Sequence, residues 1–443
     1  MLSLQEKSLA SRIADYEYCP EIYTYPTPRM YARLENFSPH GLELTPEINV
    51  YVHVPFCKQF CSFCGYFKTI YDEALQADFV EAVVQEIALR ADNLSDKVIR
   101  TLHFGGGTPS LLTARQLEKL IRALQKVNPK ILDSCLEVSI EATPESVDRE
   151  KFLGYRQAGI NRVSMGVQSL VDAEVALANR CLSPGLSSFE LLRGAVECLR
   201  SVGIPDVVID LMIGIEGQTI ESFEHTVNKA ITLRPETVQL YALGLMPRTG
   251  LARKKPMELM SGRLLYQGYE IGRSQFTLAG YRQDSHDRYT LRSSNGFVQG
   301  DDNIRGLSLL GLGAGARSYA SRVHYRNTYA SLNGRKALEQ YMQNIGAGRH
   351  SVESGVFLDD DELMRQYAIG HIQALDEEHF QRRFGVRFQD RFRPLYEEMV
   401  QLDLVQHEGS VLRLTQRGLL FRDLLGRQLF SERARQLEEA YRS

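Results

Sequence analysis

The sequence predicts an α/β protein: a partial (β/α)6 barrel followed by a helical, winged-helix-like C-terminal domain. Three observations carry this. Six apolar, β-branched stretches alternate with segments of helical period between about residues 50 and 245. The strand stretches are continuously apolar rather than alternating, as expected when both faces of a parallel sheet are covered. Beyond residue 335 the pattern turns mostly helical.

The strands are expected at Val50–Val54, Ile99–Phe104, Leu136–Ala142, Arg162–Val167, Val207–Ile213 and Thr237–Leu243. The helices between them are expected at Asp72–Ala91, Ala114–Val127, Glu145–Ala158, Ser188–Val202 and Ile220–Leu233. Six such units fall short of the eight of a complete barrel. From about 250 to 330 the pattern loosens. Pro247, Arg248, Gly250 and the polar run Ser285–Asn295 mark loops, and Gly311–Ala316 reads as a small-residue turn. Downstream, a helix, the strands Leu402–His407 and Val411–Thr415 about a turn at Gly409, and a helix Gln416–Phe430 form the winged-helix-like unit. The expected division is 1–48 as an N-terminal arm, 49–250 as the barrel, 251–335 as a barrel extension with substrate-site loops, and 336–443 as the helical C-terminal domain.

The 443 residues are 43% hydrophobic and 24% charged, with a net charge of −3, which is ordinary for a globular protein. No basic excess favours nucleic acid, so the C-terminal unit reads as a packing element or lid. No apolar run approaches the roughly 18 residues of a membrane span. The mixed segment Met1–Ala14 lacks a secretory pattern, and the expected location is cytoplasmic. Of the seven cysteines, Cys19, Cys135, Cys181 and Cys198 are scattered and read as small buried hydrophobes.

The other three are clustered. Cys57, Cys61 and Cys64 stand in the run Tyr51-Val-His-Val-Pro-Phe-Cys-Lys-Gln-Phe-Cys-Ser-Phe-Cys-Gly-Tyr66, a CxxxCxxC spacing in the loop after the first strand. Three thiolates on a loop can hold one face of a [4Fe–4S] cubane. Electron-transfer clusters normally carry four cysteines, so three leave one iron open, and an open metal position suits a ligand. That ligand is expected to be S-adenosylmethionine (SAM), whose reductive cleavage yields a 5′-deoxyadenosyl radical. The alternative is a zinc site, which would want a fourth Cys or His. His53 lies four residues upstream, on a strand whose alternation points it away from the loop.

In parallel barrels the working groups gather at the C-terminal strand ends. Gly105-Gly106-Gly107-Thr108-Pro109 follows the second strand and lets backbone approach a ligand closely. Glu141, Gln168 and Asp210 are polar residues set in apolar runs, either satisfied by neighbours or awaiting a ligand or cation. Arg180 is a candidate carboxylate partner or a surface arginine. His286, in the titratable run Gln283–Tyr289, is a candidate proton donor or base, or a solvated loop histidine. Arg29, Arg288 and Arg292 would pair with propionates if the substrate were a tetrapyrrole, or lie on the surface.

As an ordered set, YVHVPFCKQFCSFCG, HFGGGTPSLL, SIEATPES, NRVSMGVQSL, IDLMIGIEGQT and GLGAGA resemble the oxygen-independent coproporphyrinogen III oxidase-like radical SAM superfamily, over residues 20 to 430. The resemblance implies that Tyr51, Gly106, Gly107, Thr108, Glu141, Gln168, Arg180, Asp210 and Ala242 contact cluster-bound SAM. It further implies a second SAM in regions holding Tyr281, Arg282 and Arg317, and an electron donor such as flavodoxin or ferredoxin. Tyr66, Tyr281 and His286 are the candidate catalytic residues. True decarboxylases of this family carry a fourth cysteine where Tyr66 stands, although the segment Ile22–Thr27 is similar to their tyrosine–proline arm. The haem-chaperone branch carries an HNxxYW motif that the segment from His324 to Ala330 does not match. An aromatic at position 66 is similar to the radical methyltransferase and cyclopropanase branch. The expected reaction is therefore methylene or methyl transfer from the second SAM to an sp2 carbon of a tetrapyrrole or unsaturated natural product, giving C-methylation, cyclopropanation or haem ring opening, with oxidative decarboxylation and haem binding as alternatives.

Overall fold

The computed structural model describes residues 7–17, 25–35, 37–180, 185–246, 249–254, 261–291, 294–330 and 334–442. Cys19, Cys181, Pro247, Arg248, Arg292 and the first part of the tyrosine–proline segment lie outside them.

Six strands, β1 Glu47–Val54, β2 Val98–Gly106, β3 Glu137–Ala142, β4 Arg162–Gln168, β5 Asp206–Ile213 and β6 Thr237–Ala242, lie side by side and parallel. Helices α1 Glu73–Leu89, α2 Ala114–Val127, α3 Arg149–Gln157, α4 Ser188–Ser201 and α5 Ile220–Thr232 follow the first five. Side chains in the sequence set their starts. The Asp72 carboxylate accepts from the Leu75 N–H, and Thr113 with Gln116 and Ser187 with Glu190 form reciprocal capping boxes. The expected helix Glu145–Ala158 begins later, because Asp148 is extended and caps it by accepting from the Lys151 N–H.

The parallel sheet is one strand wider than expected. Ser308–Leu312 forms β7, parallel to β1 and buried at every residue, so the first two residues of the expected Gly311–Ala316 turn are strand. Glycine concealed it. A Cβ at Gly311 would collide with the Arg317 carbonyl of the adjacent strand, so close packing requires the residue that otherwise signals a turn. Antiparallel strands extend both edges. Arg288–Thr290 pairs with β6 inside the expected loop Ser285–Asn295. Arg317–Tyr319, Val323–Asn327 and Val352–Phe357 extend the β7 side, the last within the region expected to be helical.

In the C-terminal region Ala374–Asp376, Val411–Leu414 and Val405–Glu408 form a three-stranded sheet, one strand more than expected. The expected helix Gln416–Phe430 is broken at Phe421 into Gln416–Leu420 and Arg422–Gln428. A second core of Phe380, Met399, Leu412, Leu424 and Leu425 sits here, and Leu9, Ile13 and Tyr25 of the N-terminal arm join it. The Tyr25 hydroxyl donates to Glu362 (2.5 Å) and accepts from the Ser431 N–H (3.1 Å). Among the described residues no helix is long and apolar enough to cross a membrane.

Candidate active site

The cysteine loop leaves β1 through Phe56–Cys57, which pairs with Thr69–Ile70. Its conformation is held from outside. Ser62 N–H donates to the Ala178 carbonyl (3.0 Å), the Gln59 amide to the Asn179 carbonyl (2.7 Å), and the Asn179 amide to the Phe60 carbonyl (2.7 Å). Lys68 Nζ donates to the carbonyls of Cys64 (2.6 Å) and Tyr66 (3.2 Å). The glycine run passes directly beneath, where a Cβ on Gly107 would stand 2.7 Å from the Phe56 carbonyl and 2.9 Å from Cys57 Sγ.

Cys57 is buried, and Cys61 and Cys64 are partly so; all three are free thiols. Thr108 Oγ1 lies 3.8 Å from Cys57 Sγ and Arg180 Nη1 3.7 Å from Cys61 Sγ. Burial pushes the Cys57 thiol up to about 12 and raises Cys61, so only a bound metal would hold these thiols deprotonated. Among the described residues no three Cys, His, Asp or Glu converge as ligands of a single ion. A cubane asks less, since its thiolates bind three separate irons. Together the thiols and their weak polar partners fit a cluster. His53, expected to point away, lines the same cavity. Its ring is already engaged, with Nδ1 2.9 Å from the Tyr51 hydroxyl and Nε2 2.9 Å from the Phe67 carbonyl. Burial lowers its pKa to about 4 and keeps it neutral.

The strand ends converge on this loop. Glu141 accepts the Gly106 N–H (2.9 Å) and lies 3.3 Å from His103 Nε2. Burial would raise this carboxyl, but its hydrogen bonds and the neighbouring histidines outweigh that and hold it low. Gln168 ends β4 with φ of 71°, beside a register shift, and its buried Oε1 has no partner. A strained, non-glycine residue with an orphaned acceptor fits a ligand-binding position. Arg180 spans from Cys61 to the Gly166 carbonyl. Asp210 accepts from Ser164 Oγ (3.1 and 3.0 Å), and burial raises its pKa to about 7. Ala242 ends β6 on the same wall. His103, Lys68 and Ser164 complete the site; His103 opens the HFGGG run and Ser164 lies within NRVSMGVQSL, but neither stands out within its motif, and Lys68 lies in no motif.

A family model for the radical SAM superfamily matches residues 51–230, the stretch that holds every group just described except Ala242. This stretch of the chain is similar to radical SAM proteins. A second model, the HemN C-terminal domain, matches residues 373–421. Curated relatives agree over most of the length. The chain is 28% identical to the oxygen-independent coproporphyrinogen III oxidase of Pseudomonas aeruginosa, covering 84% of this chain and 83% of that protein. It is 25% identical to the haem chaperone HemW of Bacillus subtilis, over 86% of this chain and 98% of that one. The crystal structure of coproporphyrinogen III oxidase from Escherichia coli superposes with a TM-score of 0.78 at 24% identity, over 92% of this chain and 96% of that one. The radical SAM match implies a [4Fe–4S] cluster and SAM as cofactors. The relatives also overturn one expectation. They are porphyrinogen oxidases and a haem chaperone rather than methyltransferases, so methylene or methyl transfer is not supported.

The structure also redistributes the remaining candidates. Tyr66 is exposed and lines the cavity, as does Arg317. Tyr281 does not. Its ring packs on Phe276 in the barrel core and its hydroxyl donates to the Pro235 carbonyl (2.8 Å), because residue 281 follows the end of the helix Gly262–Leu278 and its N–H donates back to the Phe276 carbonyl. Arg282 pairs with Asp284 beside it. The proposed propionate partners are already neutralised: Arg29 by Glu438, and Arg288 by Asp301 (2.7 Å) and Asp284 (3.8 Å).

His286 lines the cavity between two carboxylates, 3.5 Å from Asp287 and 3.5 Å from Asp423 of the C-terminal region, which Arg422 also contacts (2.6 Å). Burial opposes its charge, yet Asp287 and Asp423 raise the pKa to about 9 against the repulsion of Arg422. A raised pKa stabilises the fold fully below the ordinary histidine value near 6.5 and loses that contribution as pH climbs through about 9. Thermal unfolding of the wild type should accordingly lose stability between pH 7 and about 9.5, and the drop should shrink in His286→Ala. An equal drop in both would remove this histidine as the anchor of the C-terminal region.

Proposed function

We propose that this radical SAM protein oxidatively decarboxylates propionate side chains of a porphyrinogen, of which coproporphyrinogen III, named in its relatives, is the first to test. The carrying observation is the cavity itself. At about 2090 Å3 it runs from the cysteine loop across the strand ends to the C-terminal region, whereas common ligand pockets hold about 300–1,000 Å3. That size suits SAM and a macrocycle together, and a second SAM is part of the proposal.

When bound, the cluster and SAM supply a carbon-centred radical able to remove an unactivated hydrogen. The chain's own residues bind, orient and shield. Cys57, Cys61 and Cys64 hold the cluster. Tyr51, Gly106, Gly107, Thr108, Arg180 and Ala242 shape the SAM site. Glu141, Gln168 and Asp210 offer acceptors to its ammonium, hydroxyl and amino groups. Tyr66 stands at the mouth of the loop, facing the substrate. His286, between Asp287 and Asp423, ties the C-terminal region to the cavity wall. The C-terminal region, held by the N-terminal arm, closes the cavity against water. A flavodoxin- or ferredoxin-type donor provides the electron that cleaves SAM. The substrate radical releases one electron as carbon dioxide leaves and the vinyl group forms, so that SAM is the net oxidant.

Similarity to a haem chaperone over nearly that protein's whole length favours a second reading, haem binding without turnover. One assay separates them. Anoxic protein with SAM, dithionite and coproporphyrinogen III should yield vinyl porphyrinogens, carbon dioxide, methionine and 5′-deoxyadenosine. Stoichiometric haem binding with no change in porphyrin mass would support the second reading, and S-adenosylhomocysteine as a product would contradict both.

A further inference from the structure

One wall of the cavity carries positive charge that the protein does not neutralise. The strands Arg317–Tyr319 and Val323–Asn327 pair antiparallel, with Arg317 directly opposite Arg326 and Tyr319 opposite His324. Alternation puts these four side chains on one face, and all four line the cavity. Directly opposed side chains of an antiparallel pair lie about 5 Å apart, and like charges there are destabilising. Among the described residues neither arginine has a carboxylate within 4 Å. Arg326 Nη2 donates to Ser354 Oγ (3.3 Å), its guanidinium lies 3.8 Å over the Tyr329 ring, and its buried Nε has no partner. Glu353 attracts it from a distance while accepting the Tyr329 N–H (2.6 Å). Burial and the charge of Arg317 together lower the pKa of Arg326. Four other arginines of the cavity, Arg29, Arg288, Arg422 and Arg427, each face an acidic side chain.

We propose that Arg317 and Arg326 form a receptor for a carboxylate of the substrate, bound between the two guanidinium groups. A single bidentate anion would relieve the repulsion, satisfy the orphaned donor, and fix the substrate's edge at the β7 side of the cavity. The inference rests on the reading of the substrate as a porphyrinogen bearing propionates. SAM has a carboxylate too, and the test separates the two sources.

Fluorescence titration of the reconstituted protein would use coproporphyrin III and its tetramethyl ester, with equilibrium dialysis of S-adenosylhomocysteine alongside. Arg326→Gln and the Arg317→Gln/Arg326→Gln pair should weaken coproporphyrin III binding at least about tenfold. Neither should change the weaker affinity for the ester or the affinity for S-adenosylhomocysteine. Ligand-free Arg326→Gln should also melt at or above the wild-type temperature, because a repulsion is removed; an arginine that only supports the fold would lower it. Unchanged coproporphyrin III affinity in folded variants overturns the receptor and leaves the decarboxylase reading standing. Loss of S-adenosylhomocysteine binding with porphyrin binding intact overturns it in favour of the cofactor's carboxylate. A wild type that binds no coproporphyrin III overturns the porphyrinogen reading and the receptor with it.

Discussion

Replacing Cys57, Cys61 and Cys64 together by alanine is expected to abolish cluster assembly. Anoxically reconstituted wild type should hold about four irons per chain with broad visible charge-transfer absorbance, and the triple variant neither. The geometry gives the reason. Cys57 is buried in a loop that six hydrogen bonds pin to the turn at Ala178–Asn179, to Leu251 and to Lys68. The thiols are therefore positioned by their surroundings rather than by the metal. The same argument predicts that the variant remains folded, with an unchanged far-ultraviolet spectrum. Iron retained at the wild-type level in a folded triple variant would refute the assignment of these ligands.

The second large effect is expected at Glu141. Its carboxylate accepts the Gly106 N–H and faces His103, and its pKa stays low despite burial, so it presents a full negative charge to the cavity beside the cysteines. Glutamine preserves shape and removes that charge. Loss of a charge-assisted hydrogen bond costs about 1.5–3 kcal/mol, so SAM affinity should fall by about 10- to 150-fold with the cluster absorbance unchanged. Asp210 behaves differently. Burial holds it up to about 7, so Asp210→Asn imitates a form already populated, and its effect should diminish as pH is lowered below 7. Equal affinity in wild type and Glu141→Gln would remove Glu141 from the SAM site.

Much of this site was legible because its chemistry is written locally. The cysteine spacing, the glycine run and the polar residues at apolar strand ends are each contained within a few consecutive positions, and β-strand period places them on one rim. His103 and Ser164 were illegible for the opposite reason: each matters through a partner on another strand, at Glu141 and Asp210. β7 was hidden because the glycine that permits close strand packing is the residue that also makes turns. Tyr281 shows the limit of carrying a role over by position, since nothing local says that its hydroxyl is engaged by the buried Pro235 carbonyl. The expected reaction failed similarly. A single residue, Tyr66, pointed to methyl transfer, while similarity spread along more than four-fifths of the chain points to porphyrinogen oxidation and haem handling.

The most direct measurement counts 5′-deoxyadenosine and methionine released from SAM by the dithionite-reduced, reconstituted protein under anoxic conditions. Equimolar formation of the two is predicted, faster with coproporphyrinogen III present and absent in the triple cysteine variant. Protein carrying about four irons that leaves SAM intact would contradict the account.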